Sequence, residues 1–223
     1  MDIEKNTVSA QQQVQKSNYI EIFNAGAKIS VLFIGNSITR HEPKSEIGWD
    51  NDWGMAASAR EKDYVHIAVQ LLEKKFGKVN YCIANCGEWE LNYYQDDMIS
   101  NWEKARNFYA DIVVIRIGEN IWQARDKFAE YPLAKRYAEM VEYFSVNPSA
   151  KVLLTTLFWR NDSIDEAIKQ VAQEKGYILV DLNDLGDKAE NKAIGQFWHS
   201  GVAIHPNDNG MRQIAERIVE KIE

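Results

Sequence analysis

Five short apolar runs recur along the chain, each followed by a polar or glycine-bearing break and then by a stretch of helical periodicity. The clearest run is Val31-Leu32-Phe33-Ile34, ended by Gly35. Four large apolar residues in succession read as a strand buried on both faces, as a parallel sheet between helix layers requires. Similar runs lie at about Val79 to Ala84, Asp111 to Ile117, Lys151 to Leu157 and Tyr177 to Val180. Helices are predicted between them. One from about Ser58 to Phe76 has Val65, Ala68, Leu71 and Leu72 on one face and stops at Gly77, and a second spans about Leu91 to Tyr109. A third, from about Lys127 to Phe144, aligns Leu133, Tyr137, Met140, Val141 and Phe144. The fourth starts at the capping-box pattern Ser163-Ile164-Asp165-Glu166 and ends at Gly176, and the last carries Met211, Ile214, Ile218 and Ile222 beyond Asn207. Strands alternating with helices specify an α/β fold. With right-handed crossovers it is a flavodoxin-like three-layer α/β/α sandwich on a five-stranded parallel sheet, strand order 2-1-3-4-5 in chain order. Residues 1–26, with the polar run Gln11-Gln12-Gln13, form a lead-in, and residues 27–223 form one domain.

Composition narrows the partners more than the chemistry. The 223 residues are 45% hydrophobic, enough for a full core, and carry a net charge of −7 without a Lys/Arg-rich run. That balance argues against nucleic acid and against an anionic membrane surface. Cys82 and Cys86 are too few for a disulfide framework and lack the paired spacing of a zinc site. No segment has the apolar length of a membrane span, and Met1-Asp2-Ile3-Glu4-Lys5 lacks the core of a secretory signal. The sequence as written reads as cytoplasmic, or as periplasmic or secreted if a signal peptide has been removed. Oligomeric state is not legible.

In such a sheet the loops after the strand C-termini share one edge, so Ser37, Gly87, Asn120 and the segment before the last helix converge there. Taken alone, Ser37 reads as a cap of the next turn. His205, in that last segment, changes the balance, because a hydroxyl needs an adjacent base to become a nucleophile. Backbone N–H groups near Ser37 and Gly87 and the amide of Asn120 are candidate oxyanion donors. No metal or cofactor is called for.

Three short motifs in this order resemble the SGNH, or GDSL-like, hydrolases: Gly35-Asn36-Ser37-Ile38-Thr39, Gly118-Glu119-Asn120, and His205-Pro206-Asn207 through Gly210. The resemblance spans about Lys28 to the C-terminus. It implies an esterase in which Ser37 is nucleophile and His205 base, with Asn120 and a backbone N–H of Gly87, Trp89 or Glu90 as oxyanion donors. Two stretches depart from the family: the second-block glycine, which there commonly follows an Asn-x-Gly turn by a few residues, meets Asn85-Cys86-Gly87-Glu88-Trp89-Glu90 here, and the acid that usually precedes the histidine by three residues is replaced by Val202. Three arrangements are open. A backbone carbonyl of Val202 or a neighbour holds His205 Nδ1, a carboxylate from Glu88, Glu90 or Glu119 substitutes, or the site binds without turnover. Six of the seven tryptophans fall in loops at the expected site edge: Trp49, Trp53, Trp89, Trp122, Trp159 and Trp198. Aromatic faces interleaved with Arg116 and Glu119 suit a polar ligand with apolar faces, such as a sugar. The expected binding residues are thus Trp53, Trp89, Trp122, Trp159, Arg116 and Glu119. The expected activity is hydrolysis of short-chain acyl esters, O-acetyl groups on a carbohydrate foremost. The alternative is a carbohydrate-binding protein on the same fold with weak or no activity.

Overall fold

A computed structural model describes residues 18–222; residues 1–17 of the expected lead-in lie outside them. Six strands form one sheet: β1 (Asn18–Ile22), β2 (Ile29–Gly35), β3 (Val79–Asn85), β4 (Ile112–Arg116), β5 (Lys151–Thr155) and β6 (Ile178–Val180). Their spatial order is β1-β3-β2-β4-β5-β6. The last five reproduce the expected parallel arrangement, whereas β1 lies antiparallel on β3. The sheet therefore has six strands instead of five. The added strand comes from the expected lead-in. An edge strand is covered only in part, and Asn18-Tyr19-Ile20-Glu21-Ile22 shows no continuous apolar run.

Alternation along the strands divides the core in two. Leu32 and Ile34 of β2 and Val113 and Ile115 of β4 face one layer. That layer holds α2 (Gly87–Asn92), α4 (Leu133–Phe144) and α5 (Asp162–Lys175). Val31, Phe33 and Val114 face the other, built on α1 (Tyr64–Phe76) and α7 (Asp208–Glu220). The helices predicted from about Ser58 and Lys127 start later, at Tyr64 and Leu133, behind 3-10 turns, and two others differ further. The stretch from Leu91 to Tyr109 breaks into the end of α2, a 3-10 turn at Met98–Trp102 and the short α3 (Glu103–Asn107). Helix α5 is capped by Asn161, whose side chain accepts from the Ile164 N–H, and not by Ser163. Asp165 instead accepts from the Asn161 and Leu157 amides, fastening the β5 exit to the helix.

A third, smaller core decides where the last motif sits. Ile47, Trp49, Met55 and Ala56 from the loop after β2 pack against Ala193 and Val202. Val202 lies in the four-residue helix α6 (Ser200–Ala203). The position that would carry an acid is thus fully buried and serves as packing. It clamps the segment bearing His205 onto the loop after Ser37.

Candidate active site

The turn after β2 is built by Asn36. Its carbonyl accepts from the Thr39 and Arg40 N–H groups at 2.9 and 3.0 Å, and its side-chain oxygen from the Ile38 N–H at 3.2 Å. Gly35 is required for this closeness: a Cβ there would stand 1.7 Å from Thr39 Oγ1 and 2.9 Å from the Arg116 carbonyl oxygen. Ser37 is left half-buried at the strand end, and its Oγ lies 2.8 Å from His205 Nε2.

His205 Nδ1 lies 2.6 Å from the carbonyl oxygen of Gly201, one turn back in α6. A carbonyl can only accept, so Nδ1 carries the hydrogen and Nε2 presents its lone pair to Ser37. Of the three arrangements left open by Val202, the structure contains the carbonyl. Trp159 packs edge-on against the imidazole with ring centroids 5.0 Å apart, and its indole N–H donates to the Ile204 carbonyl at 3.3 Å. The His205 pKa is lowered from 6.5 to about 3, chiefly by burial and also by the charges that His41, Arg116 and His199 would carry, against the raising effect of the Gly201 carbonyl. The imidazole is therefore a neutral acceptor over the whole neutral range.

Beneath Ser37 lies a buried polar network that joins the ends of three strands. Arg116 is fully buried and donates to both Glu119 oxygens at 2.7 and 3.0 Å and to Asn36 Oδ1 at 2.6 Å. Burial is the largest single influence on the Arg116 pKa and lowers it, but the charge and hydrogen bonds of Glu119 together with Tyr64 and Glu90 outweigh it, and the net shift is upward. The Asn36 amide donates in turn to Glu119 Oε2 at 2.6 Å and to Glu90 Oε1 at 3.0 Å. Glu90, also fully buried, collects further donors: the Gly118 N–H at 2.7 Å, the Asn120 N–H at 3.1 Å and the Asn120 side-chain amide at 2.6 Å. Its pKa is raised from 4.5 to about 7, because burial and the nearby Glu119 charge outweigh the donors. Gly118 makes the crossing possible with φ of +147°, in the region that favours glycine, and with Leu157 Cδ2 2.7 Å from where a Cβ would stand.

The structure thus brings Ser37 onto His205 and His205 onto Trp159, and links Asn120 through Glu90 to Asn36 in the turn that carries Ser37. Other expected residues sit elsewhere. The Gly87 N–H donates to Asn85 Oδ1 at 2.8 Å, which occupies it within the protein. Arg116 and Glu119 face each other, with side chains 0% and 3% exposed, and leave no surface for a ligand. Trp89 is a core ring packed edge-on against Tyr93 and Tyr137, and Trp49 is fully buried. Trp53 is half-buried, stacked edge-on against Trp49 and donating to the Ala57 carbonyl. Trp122 and Trp198 are exposed, at 44% and 45%. Sequence reasoning missed the structural weight of Asn36 and Glu90 and the buried His199, whose ring nitrogens have no hydrogen-bond partner. One signal was present: a charged Arg116 set between Ile115 and Ile117, in a strand apolar on both faces, demands a buried partner.

A strand-end serine paired with a histidine ahead of the last helix, on a doubly wound sheet, defines a hydrolase-type site of the GDSL-like class. The model of the GDSL-like lipase/acylhydrolase family matches residues 33–213, and the chain belongs to that family. Among solved structures, an acetyl xylan esterase, AlAXEase, superposes with a TM-score of 0.56 at 21% identity, covering 87% of this chain and 100% of that one. The lipase/acylhydrolase from Enterococcus faecalis superposes with a TM-score of 0.53 at 15% identity, covering 87% and 95%. At these identities the likeness is one of fold. No curated protein sequence matches the chain. Among the described residues no helix is long and apolar enough to cross a membrane, and no cluster of His, Cys, Asp or Glu could hold a metal ion.

Proposed function

We propose that the protein is a serine esterase that removes short acyl groups, acetyl foremost, from a sugar-like alcohol. The observation that carries this reading is the line of three groups from Ser37 Oγ through the His205 ring to the Gly201 carbonyl, at 2.8 and 2.6 Å. Ser37 Oγ attacks the ester carbonyl carbon as His205 Nε2 takes its proton. The tetrahedral intermediate then expels the alcohol, which leaves with the proton from Nε2. Water attacks the acyl-serine, again deprotonated by His205, and the acid departs as Ser37 regains its hydrogen. The amide of Asn120 has two N–H bonds; one is held by Glu90, and the other is the candidate oxyanion donor, together with the Ser37 backbone N–H.

The missing acid costs less here than in a triad stripped of its carboxylate. There the loss of about 10⁴ in kcat comes from the wrong tautomer, whereas the Gly201 carbonyl imposes the right one. A carbonyl dipole still stabilises an imidazolium less than a full charge does, so turnover is expected to be slower than in a complete triad. For the alcohol, the exposed face of Trp122 and the half-buried Trp159 suit the apolar side of a pyranose. The acetyl xylan esterase among the similar folds agrees with acetyl as the acyl group.

Hydrolysis of 4-nitrophenyl acetate and of acetylated xylo-oligosaccharides tests the reading. Activity on both that is lost in Ser37→Ala and His205→Ala supports it. Undiminished activity in Ser37→Ala would sink it. A protein that releases no acetate but is raised in Tm by sugars would be a carbohydrate-binding module instead.

A further inference from the structure

We propose that Glu90 is a positioning residue of the oxyanion hole: its ionised carboxylate fixes the Asn120 side chain, and uptake of a single proton at Oε2 releases it. The inference rests on the esterase reading for its catalytic consequence, but its structural core stands independently. The two oxygens of Glu90 are loaded unequally. Oε1 accepts from three N–H donors, those of the Asn36 amide, Gly118 and Asn120. Among the described residues Oε2 accepts from one donor, the Asn120 side-chain amide at 2.6 Å. A proton arriving from solvent therefore adds to Oε2, where it displaces a single hydrogen bond. The new O–H then opposes the Asn120 N–H, donor against donor, and the amide loses its anchor. Gln123 holds the other end of that amide only weakly, at 3.4 Å.

The surroundings favour that proton. From the β4 end, Glu119 adds a negative charge and Arg116 a positive one, and the latter is bonded to both Glu119 oxygens. From the start of α2 comes the Cys86 thiol and from α4 the Tyr137 hydroxyl; burial holds both neutral. From the β2 end comes the uncharged Asn36. Burial with one more carboxylate than cation explains why Glu90 takes up a proton in the neutral range. In most serine hydrolases the acid limb of the rate profile reports the catalytic histidine, but His205 is held neutral far below that range.

The test is the pH profile of kcat/KM for 4-nitrophenyl acetate, together with a readout that needs no activity. Wild type is expected to lose activity with one proton in the neutral range. In Glu90→Gln, three donors keep the amide oxygen at the Oε1 place, so the NH₂ falls opposite Asn120 and mimics the protonated state. That variant is expected to lose roughly 10- to 1,000-fold in kcat with KM little changed, and to lose the acid limb. Added to Asn120→Ala it should cost nothing further. A neutral acid limb that survives in Glu90→Gln, or losses that multiply, would overturn the proposal. The side-chain amide resonance of Asn120 in the wild-type protein, followed by NMR, should move with one neutral-range titration; a flat trace would overturn it even if Glu90→Gln does not fold. A titrating amide in a protein that never hydrolyses the ester would retire the esterase reading and leave the Glu90 hold standing.

Discussion

Glu119→Ala removes the counter-charge of an arginine that has no route to water. Arg116 is 0% exposed and its bonds go to Glu119 and to Asn36 Oδ1. After the substitution the guanidinium keeps one hydrogen bond, to the neutral Asn36 Oδ1, and its remaining counter-charge is Glu90, which it does not touch. Breaking a buried pair by removing one partner costs about 3–5 kcal/mol. Two further donors lose their acceptor: the Phe158 N–H, at 3.2 Å from Glu119 Oε1, and one hydrogen of the Asn36 amide, at 2.6 Å from Oε2. An orphaned buried donor costs about 1–3 kcal/mol, so the loss should fall at the upper end of the pair range. Against a total of about 5–15 kcal/mol this is a third or more of the stability. Urea unfolding measures it, provided the m-value is unchanged. The double variant Arg116→Met, Glu119→Leu should be no worse than Glu119→Ala, because it removes the stranded charge. A single-variant cost below about 1 kcal/mol, or a double variant equal to the sum of its singles, would refute the reasoning.

Other expectations follow from the same geometry. Gly35→Ala drives a methyl to 1.7 Å from Thr39 Oγ1 at the turn that presents Ser37, so it should destabilise by about 1–3 kcal/mol or more and abolish esterase activity, read by unfolding and by 4-nitrophenyl acetate. With acidification, His205 and Glu90 act in opposite senses on stability. Between 6.5 and about 3 the unfolded chain binds a proton that folded His205 refuses, so stability falls as pH falls, by up to about 1.4 kcal/mol per unit. Between 4.5 and about 7 folded Glu90 holds a proton that the unfolded chain has released, which favours the folded state as pH falls. The decline should therefore be shallow down to about 4.5 and steep below it, and His205→Gln should lose less stability than wild type between pH 4.5 and 3.5. Equal losses would contradict the assigned burial. Trp122→Ala should raise KM for an acetylated oligosaccharide and leave 4-nitrophenyl acetate hydrolysis unchanged, since that ring is 44% exposed and the small ester does not need it.

The parts of the fold written in side chains were readable. Val31 to Ile34 and Ile112 to Ile115 are strands buried on both faces, as a parallel sheet covered by helices requires. Strand β1 escaped because an edge strand is half covered and leaves a weak alternation. The pairing of Ser37 with His205 was legible because two of the motifs fall at the ends of the neighbouring strands β2 and β4 and the third just ahead of the last helix. What orients His205 was not, because a main-chain carbonyl has no sequence signature and Gly201 acquires its role only when α6 turns. Buried carboxylates are hidden for a related reason: Glu88 and Glu90 look alike in the sequence, yet one is partly exposed and the other is enclosed by four hydrogen-bond contacts. The tryptophans misled in the opposite direction. Position after a strand end does not place a ring on the site: Trp49 is buried in the loop after β2, and Trp89 lies in α2 and packs into the core.

The central claim is that Ser37 is a nucleophile made reactive by His205 without a carboxylate partner. Its most direct measurement is intact-protein and peptide mass spectrometry after treatment with a fluorophosphonate. A single adduct on Ser37, formed by wild type and absent in His205→Ala, is the predicted result. No adduct, or an adduct that forms equally well in His205→Ala, would contradict the account.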